Sequence, residues 1–254
     1  MLYKKISGIL YCGLGLILAA GCQRTVAGFR SIQLAVSSQM VMADGGSRDT
    51  LYARLPGNAD SAKSIVLFRT ATGVFANGKD TISVLADRTD IPQGKKTAYA
   101  VWTSSLRAGL DTVWASTETS PSVTDETTFQ LVTSLADSIH VDASAFAVPD
   151  SFGGEITITA SLFNTNGGKV SMGTAVQFSD AYDVVARTPV NGSFRATNAL
   201  SDSNSQVSTI YNPGIPDSAA LAAAKSFIWL YATLINPASS QKPVVDSVRI
   251  YVTH

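Results

Sequence analysis

The chain matches itself at an offset of 107 residues. Ser31-Ile32-Gln33-Leu34 lines up with Ser138-Ile139-His140-Val141, Gly46 with Gly153, and Leu51-Tyr52-Ala53-Arg54-Leu55 with Ile158-Thr159-Ala160-Ser161-Leu162. With three residues inserted, Val66-Leu67-Phe68 meets Val176-Gln177-Phe178. Internal periodicity decides an architecture before any single element does, and solenoid repeats run to only ~20–50 residues. A unit twice that length is a whole domain. The sequence therefore predicts two domains in series, residues 31–133 and residues 134–254. The boundary stretch 134–138 is short and polar, with no Gly/Ser-rich or Pro-rich linker, so it restricts bending without abolishing it.

Within each unit the hydrophobic pattern has the period of strands. Ile32, Leu34 and Val36 alternate with polar neighbours, as do Leu51, Ala53 and Leu55, then Ala98, Ala100 and Trp102. Val113 with Ala115, and Phe129 with Leu131, complete the first set, while 65–68 is a continuous apolar run of the kind that fills a sandwich core. Turn signals separate them: Asp44-Gly45-Gly46, Pro56-Gly57-Asn58, Asn77-Gly78, Pro92-Gln93-Gly94 and Ala108-Gly109. Short strands at such spacing predict a β-sandwich or barrel. Thr and Ser on the alternate positions suit an antiparallel sheet with one face in water.

These residues carry a family resemblance. The run Met42-Ala43-Asp44-Gly45-Gly46-Ser47, then 51–55, then Ile65-Val66-Leu67-Phe68 followed by Thr72-Gly73-Val74-Phe75, is similar to the bacterial immunoglobulin-like domains of the invasin and intimin type. Gly94 before 98–104 and Gly109 before 112–116 agree with it. The resemblance implies an all-β fold of two tandem immunoglobulin-like sandwiches. It also implies a role as a rigid spacer that can present a binding surface at its tip. Two departures stand out: there is no membrane β-barrel segment, and the second unit carries extra residues around 181–189 and 212–225.

The first 21 residues predict the compartment. Lys4 and Lys5 precede an apolar stretch, 6–18, that is far shorter than the roughly 20 residues a membrane-spanning helix needs. Ala19-Ala20-Gly21 then leads into Cys22. Basic, apolar and small segments in that order read as a cleaved secretory signal, and a cysteine directly after them resembles the lipobox of bacterial lipoproteins. That resemblance implies lipid on Cys22, a tether over 22–30, and anchorage in the envelope of a diderm bacterium, at the outer membrane or cell surface. Ala19 stands where a large aliphatic residue is usual, so ordinary cleavage with Cys22 incidental is the competing reading.

Loss of 1–21 removes Lys4 and Lys5, taking the 19 basic side chains to 17 against 19 acidic ones. That balance carries no electrostatic footprint for nucleic acid. Of the two cysteines only Cys22 lies outside the signal, so stability has to come from apolar cores.

Little in the sequence points to catalysis. His140 and His254 are the only histidines. There is no nucleophile elbow, phosphate loop or Cys/His cluster, so the expectation is no enzyme, no cofactor and no metal. Asp44 with Asp49, and Asp180 with Asp183, read as turn carboxylates rather than a calcium loop. Aromatic side chains are the sharper signal. Alternation puts Trp114 on the outer face between Val113 and Ala115, and puts Phe227, Trp229 and Tyr231 outward when Leu230 and Ala232 face in. These four are the candidate partner surface. The alternative is internal cover, with 217–225 read as a helix that could fold over the strip. A structural or adhesive surface module is the leading expectation. The competing one is a carbohydrate-binding component of a surface glycan-uptake system, and the partner is a protein or glycan of unspecified identity.

Overall fold

A computed structural model describes residues 32–55, 64–90, 95–118, 120–151, 153–238 and 243–253. The expected signal segment 1–21, Cys22, the expected tether, the expected turns at Pro56-Gly57-Asn58 and Pro92-Gln93-Gly94, and His254 lie outside the described residues.

The alternating segments pair into two sandwiches. In the first, one sheet runs in the order β1 (Gln33–Val36), β3 (Arg48–Leu55), β8 (Lys95–Thr103), β5 (Val74–Phe75), with β7 (Arg88–Asp90) also on β8. The facing sheet runs β2 (Met40–Ala43), β10 (Ser120–Thr133), β9 (Gly109–Thr117), β4 (Ile65–Thr70), β6 (Thr81–Leu85). In the second sandwich the orders are β11 (Ser138–Ala143), β13 (Ile156–Phe163), β17 (Gln206–Asn212), β15 (Ser193–Phe194), and β12 (Ala147–Pro149), β19 (Val245–Thr253), β18 (Phe227–Leu234), β14 (Ala175–Ala181), β16 (Asn198–Leu200). Each unit thus begins with a chain that pairs into one sheet and, a few residues later, crosses to lie parallel to the last strand of the other.

Register reproduces the sequence repeat. Leu34 faces Ala53 and Val141 faces Ala160, both at the same offset, while Phe68 opposite Ala115 becomes Phe178 opposite Ala232. Leu51, Ala53, Leu55, Val66, Phe68, Ala98, Trp102, Val113, Ala115 and Phe129 form one buried cluster. Ile158, Ala160, Leu162, Val176, Phe178, Val207, Tyr211, Leu230 and Ala232 are central to the other. The apolar run 65–68 behaves differently from expectation. It alternates, with Val66 and Phe68 buried and Leu67 36% exposed, because β4 lies in a sheet with one solvated face.

One device recurs that composition hides. The Asp125 carboxylate on β10 accepts the Leu34 N–H at 2.7 Å, and Asp246 on β19 accepts the Val141 N–H at 2.9 Å. An acid thereby satisfies a backbone donor of β1 and of β11, the edge strands that open the two units, which would otherwise be free to pair with another chain.

The junction is tied as well as short. Ser134 and Ser171 are buried, and the Ser171 hydroxyl accepts the Ser134 N–H at 2.9 Å and donates to the Ala43 carbonyl at 2.7 Å. The Met172 N–H donates to the Leu106 carbonyl at 2.9 Å. Backbone groups of the first sandwich are therefore satisfied by a loop of the second.

Candidate functional site

Strand alternation delivers the four aromatic candidates to the outer sheet faces, but into two different environments. Trp114 sits mid-β9, between Arg69 of β4 and Glu126 of β10 in one cross-strand row. Its indole Nε1 donates to the Glu126 carboxylate at 2.7 Å, and the Arg69 guanidinium lies 5.9 Å from the ring centroid. The next row is Leu67, Ser116 and Thr124. Together Leu67, Arg69, Trp114, Ser116 and Thr124 line an open depression of about 300 Å³.

The second sandwich fills its equivalent face. Phe227 packs edge-on against Tyr251 at 5.3 Å, and Arg249 lies over Phe227 at 4.3 Å and beside Trp229 at 5.8 Å. Arg187, held at positive φ in the inserted segment after β14, lies over Tyr231 at 4.5 Å. Phe227 and Trp229 are half-buried, whereas Tyr231 is only 4% exposed and its hydroxyl makes no hydrogen bond among the described residues. Burial pushes that hydroxyl above the ordinary tyrosine range; Arg187 opposes the shift and Asp183 adds to it. Stacked guanidinium groups are worth roughly 0.5–2 kcal/mol each according to exposure. They cover Tyr231, while Phe227 and Trp229 stay half-exposed beside Arg249.

The predicted helix forms as α1 (Ser218–Ala223), with the Asp217 carboxylate capping it through the Ala220 N–H at 2.7 Å. Its buried residue Leu221 joins the core of the second sandwich. Arginines, then, are what lie over the outer rings.

The four acids are spent on backbone and hydroxyl donors; Asp44 and Asp183 lie in turns as expected, whereas Asp49 and Asp180 sit on strands β3 and β14, because strand pairing extends past the turn signals beside them. Asp44 accepts from the N–H groups of Gly46 and Ser47 and from the hydroxyls of Ser47 and Ser104. Asp49 accepts from the N–H groups of Ser38 and Thr50. Asp183 takes four N–H groups, 185 to 188, and Asp180 takes the Tyr211 hydroxyl and the Gly192 N–H. Among the described residues no three His, Cys, Asp or Glu side chains are placed to hold a metal ion. His140 lies on the surface, 3.4 Å from Asp246 and 3.5 Å from Asp142. Arg69 and Glu126 escaped the sequence reading: each is an ordinary charged residue on a solvated strand face, and only the pairing of β4, β9 and β10 brings them to Trp114.

No protein-family model matches the sequence, and no curated protein does. Solved structures do. Invasin, a bacterial integrin-binding protein, superposes with a TM-score of 0.53 at 16% identity, over 88% of this chain and 39% of invasin. The Yersinia pseudotuberculosis adhesin InvE gives 0.49 at 13% identity over 88% of this chain and 59% of its own. A C-terminal intimin fragment in complex with the intimin-binding domain of the translocated intimin receptor gives 0.30 at 13% identity, over 88% of this chain and 64% of its own. The chain spans less than two thirds of the invasin and InvE chains it matches. Its fold is that of bacterial invasin-type immunoglobulin-like domains, two β-sandwiches in series.

Proposed function

We propose that this chain is a non-catalytic adhesive module of the bacterial cell envelope, a two-sandwich stalk anchored by lipid on Cys22. The observation that carries the reading is the junction. Ser171 and Met172 of the second unit satisfy backbone carbonyls of the first, which suits a stiff spacer more than a pair of independent binding modules. The likeness to invasin, which is integrin-binding, favours a protein or glycan on another cell surface as the partner. The anchor reading rests on the order of charges, apolar run, small residues and cysteine at the start of the sequence.

Two measurements test it. In membrane fractionation, Cys22→Ser should move the protein from the membrane to the soluble fraction; detergent-sensitive retention of the variant sinks the anchor. Beads coated with the purified chain should attach to animal or bacterial cells above uncoated beads. Equal attachment by coated and bare beads sinks the adhesive reading.

A further inference from the structure

The outer face of the first sandwich differs from that of the second in a way the fold does not require. By register, Arg69, Trp114 and Glu126 occupy the positions of Ser179, Tyr231 and Ser247. The second sandwich builds the same sheet with two small hydroxyl residues flanking its ring, and then covers that ring with Arg187 from an inserted segment. The first sandwich has no such insertion. It leaves the indole half-exposed, with its orientation fixed by the bond to Glu126.

From this row we propose that the depression on β4, β9 and β10 is a binding subsite for a neutral saccharide, a proposal that names the ligand of the adhesive reading and rests on it. The chemistry of the lining selects the class. An indole face offers a flat apolar platform for the C–H face of a pyranose ring, and Trp with its polar edge suits a surface that must bind while remaining wet. The lining adds a guanidinium donor (Arg69) and two hydroxyls able to donate or accept (Ser116, Thr124), and the Glu126 carboxylate that holds the indole stands beside it in the same cross-strand row. A polyol needs that mixture of donors and acceptors on its rim. The opposite charges of Arg69 and Glu126 cancel across the ring, so the site has no net pull on a sulfated or sialylated sugar. At about 300 Å³ the depression lies at the lower end of the range for small-ligand sites (~300–1,000 Å³), room for one or two sugar rings rather than a long chain.

The test is a glycan array probed with the purified full chain, carrying neutral hexose and N-acetylhexosamine oligosaccharides beside sulfated and sialylated ones. The wild-type chain should retain at least one neutral glycan. Trp114→Ala should weaken that retention at least about ten-fold, as for loss of an aromatic anchor. Glu126→Gln keeps the shape of the site and covers the case in which Trp114→Ala folds poorly; it should weaken retention about three-fold or more by removing the charged acceptor. Trp229→Ala, on the second sandwich and outside the depression, should leave retention unchanged. Retention of no neutral glycan overturns the proposal, as does retention of anionic glycans alone or retention that survives both Trp114→Ala and Glu126→Gln. Since the array needs neither anchor nor cell contact, failure there leaves bead attachment to judge the adhesive reading separately. Attachment that persists and is lost with Trp114→Ala would mark the face as a protein-binding one instead.

Discussion

At one register position the first sandwich buries Trp102 and the second buries Tyr211, the two largest fully buried side chains described. Both rings bring a polar atom into the core, and both are met by a glycine. A Cβ on Gly73 would collide with the Trp102 indole nitrogen, and one on Gly192 with the Tyr211 hydroxyl. The partners then diverge. Trp102 donates to the Thr70 hydroxyl at 3.0 Å, which donates to buried Asp111 at 2.9 Å, and Asp111 also takes the N–H groups of Thr72 and Gly73. In the second sandwich Asp180 stands at the Thr70 position and takes the Tyr211 hydroxyl directly, at 2.9 Å, with the Gly192 N–H. The fold thus specifies a site for an aromatic with a satisfied polar edge. Which acid satisfies it, and from which strand, is left open.

The largest expected effect tests whether the two cores are separate. Trp102→Ala removes a stacked ring, 4.3 Å from Phe129 and parallel to it, and leaves the Thr70 hydroxyl without its indole partner. It should cost about 3–5 kcal/mol, the usual range for a buried aromatic. Hydrogen exchange should then speed up across 32–133 while the amides of 138–253 keep their protection. Loss of protection in both halves together would break the comparison, because the sandwiches would then melt as one unit.

A smaller effect is expected at the equivalent place. Tyr211→Phe keeps the ring and its contacts with Phe194 but removes one of the two donors to the half-buried Asp180 carboxylate, leaving it the Gly192 N–H alone. That should cost about 1–3 kcal/mol in chemical denaturation. A cost near zero would mean that water or another donor reaches Asp180, and that the direct tyrosine–acid contact is dispensable.

How much of this could be read from the sequence follows from the range of the interactions. The alternation, the place of Trp102 in it and the Asp217 helix start all depend on neighbours close in the chain, and the repeat shows when two stretches of sequence are laid side by side. The Asp125 and Asp246 contacts, with partners 91 and 105 residues away, were hidden because an acid on a strand reads as a solvated position. The Tyr211 site was equally silent, since its partner Asp180 lies 31 residues off and its glycine comes from another loop. Leu67 misled in the other direction: four apolar residues in a row suggested burial on both sides. Only the sheet order puts β4 in a sheet with one wet face. The cover over Tyr231 came from Arg187, in an inserted segment with no pattern to announce its destination.

The two outer faces offer the next contrast. Trp229 is half-buried beside Arg249, and Trp114 is half-buried beside an open depression. Trp229→Ala should lower stability by about 1–2 kcal/mol, less than for a core aromatic because part of the ring is already wet. Trp114→Ala should lower it by less, under about 1 kcal/mol, since its hydrogen bond to Glu126 is exposed and its one guanidinium neighbour, Arg69, stands 5.9 Å from the ring. Equal costs in parallel thermal melts would remove the distinction between a covered face and an available one.

Acid sharpens the comparison with the smallest effect. Asp44 in the first sandwich feels burial, which raises its carboxyl, but the donors from Gly46, Ser47 and Ser104 outweigh it and hold the group below the ordinary aspartate range. In the second sandwich the Gln206 N–H leads in lowering Asp202, and Asp183 is lowered by the backbone donors of its turn despite some desolvation. A carboxyl lowered on folding stabilises the native state above its unfolded value near 3.8, and that contribution is lost as pH falls through the lower folded value. Stability should therefore hold from neutral pH down to about 4 and decline below it. Because these groups are largely solvated, the decline is gentle. The second sandwich, with two such turns against one, should lose protection first when exchange is followed from pH 4 downward. Asp202→Asn should lower its melting point slightly at neutral pH and flatten its acid response, since an amide still accepts hydrogen bonds but no longer titrates. An acid response unchanged by Asp202→Asn would assign the decline to other carboxylates and remove this difference between the two halves.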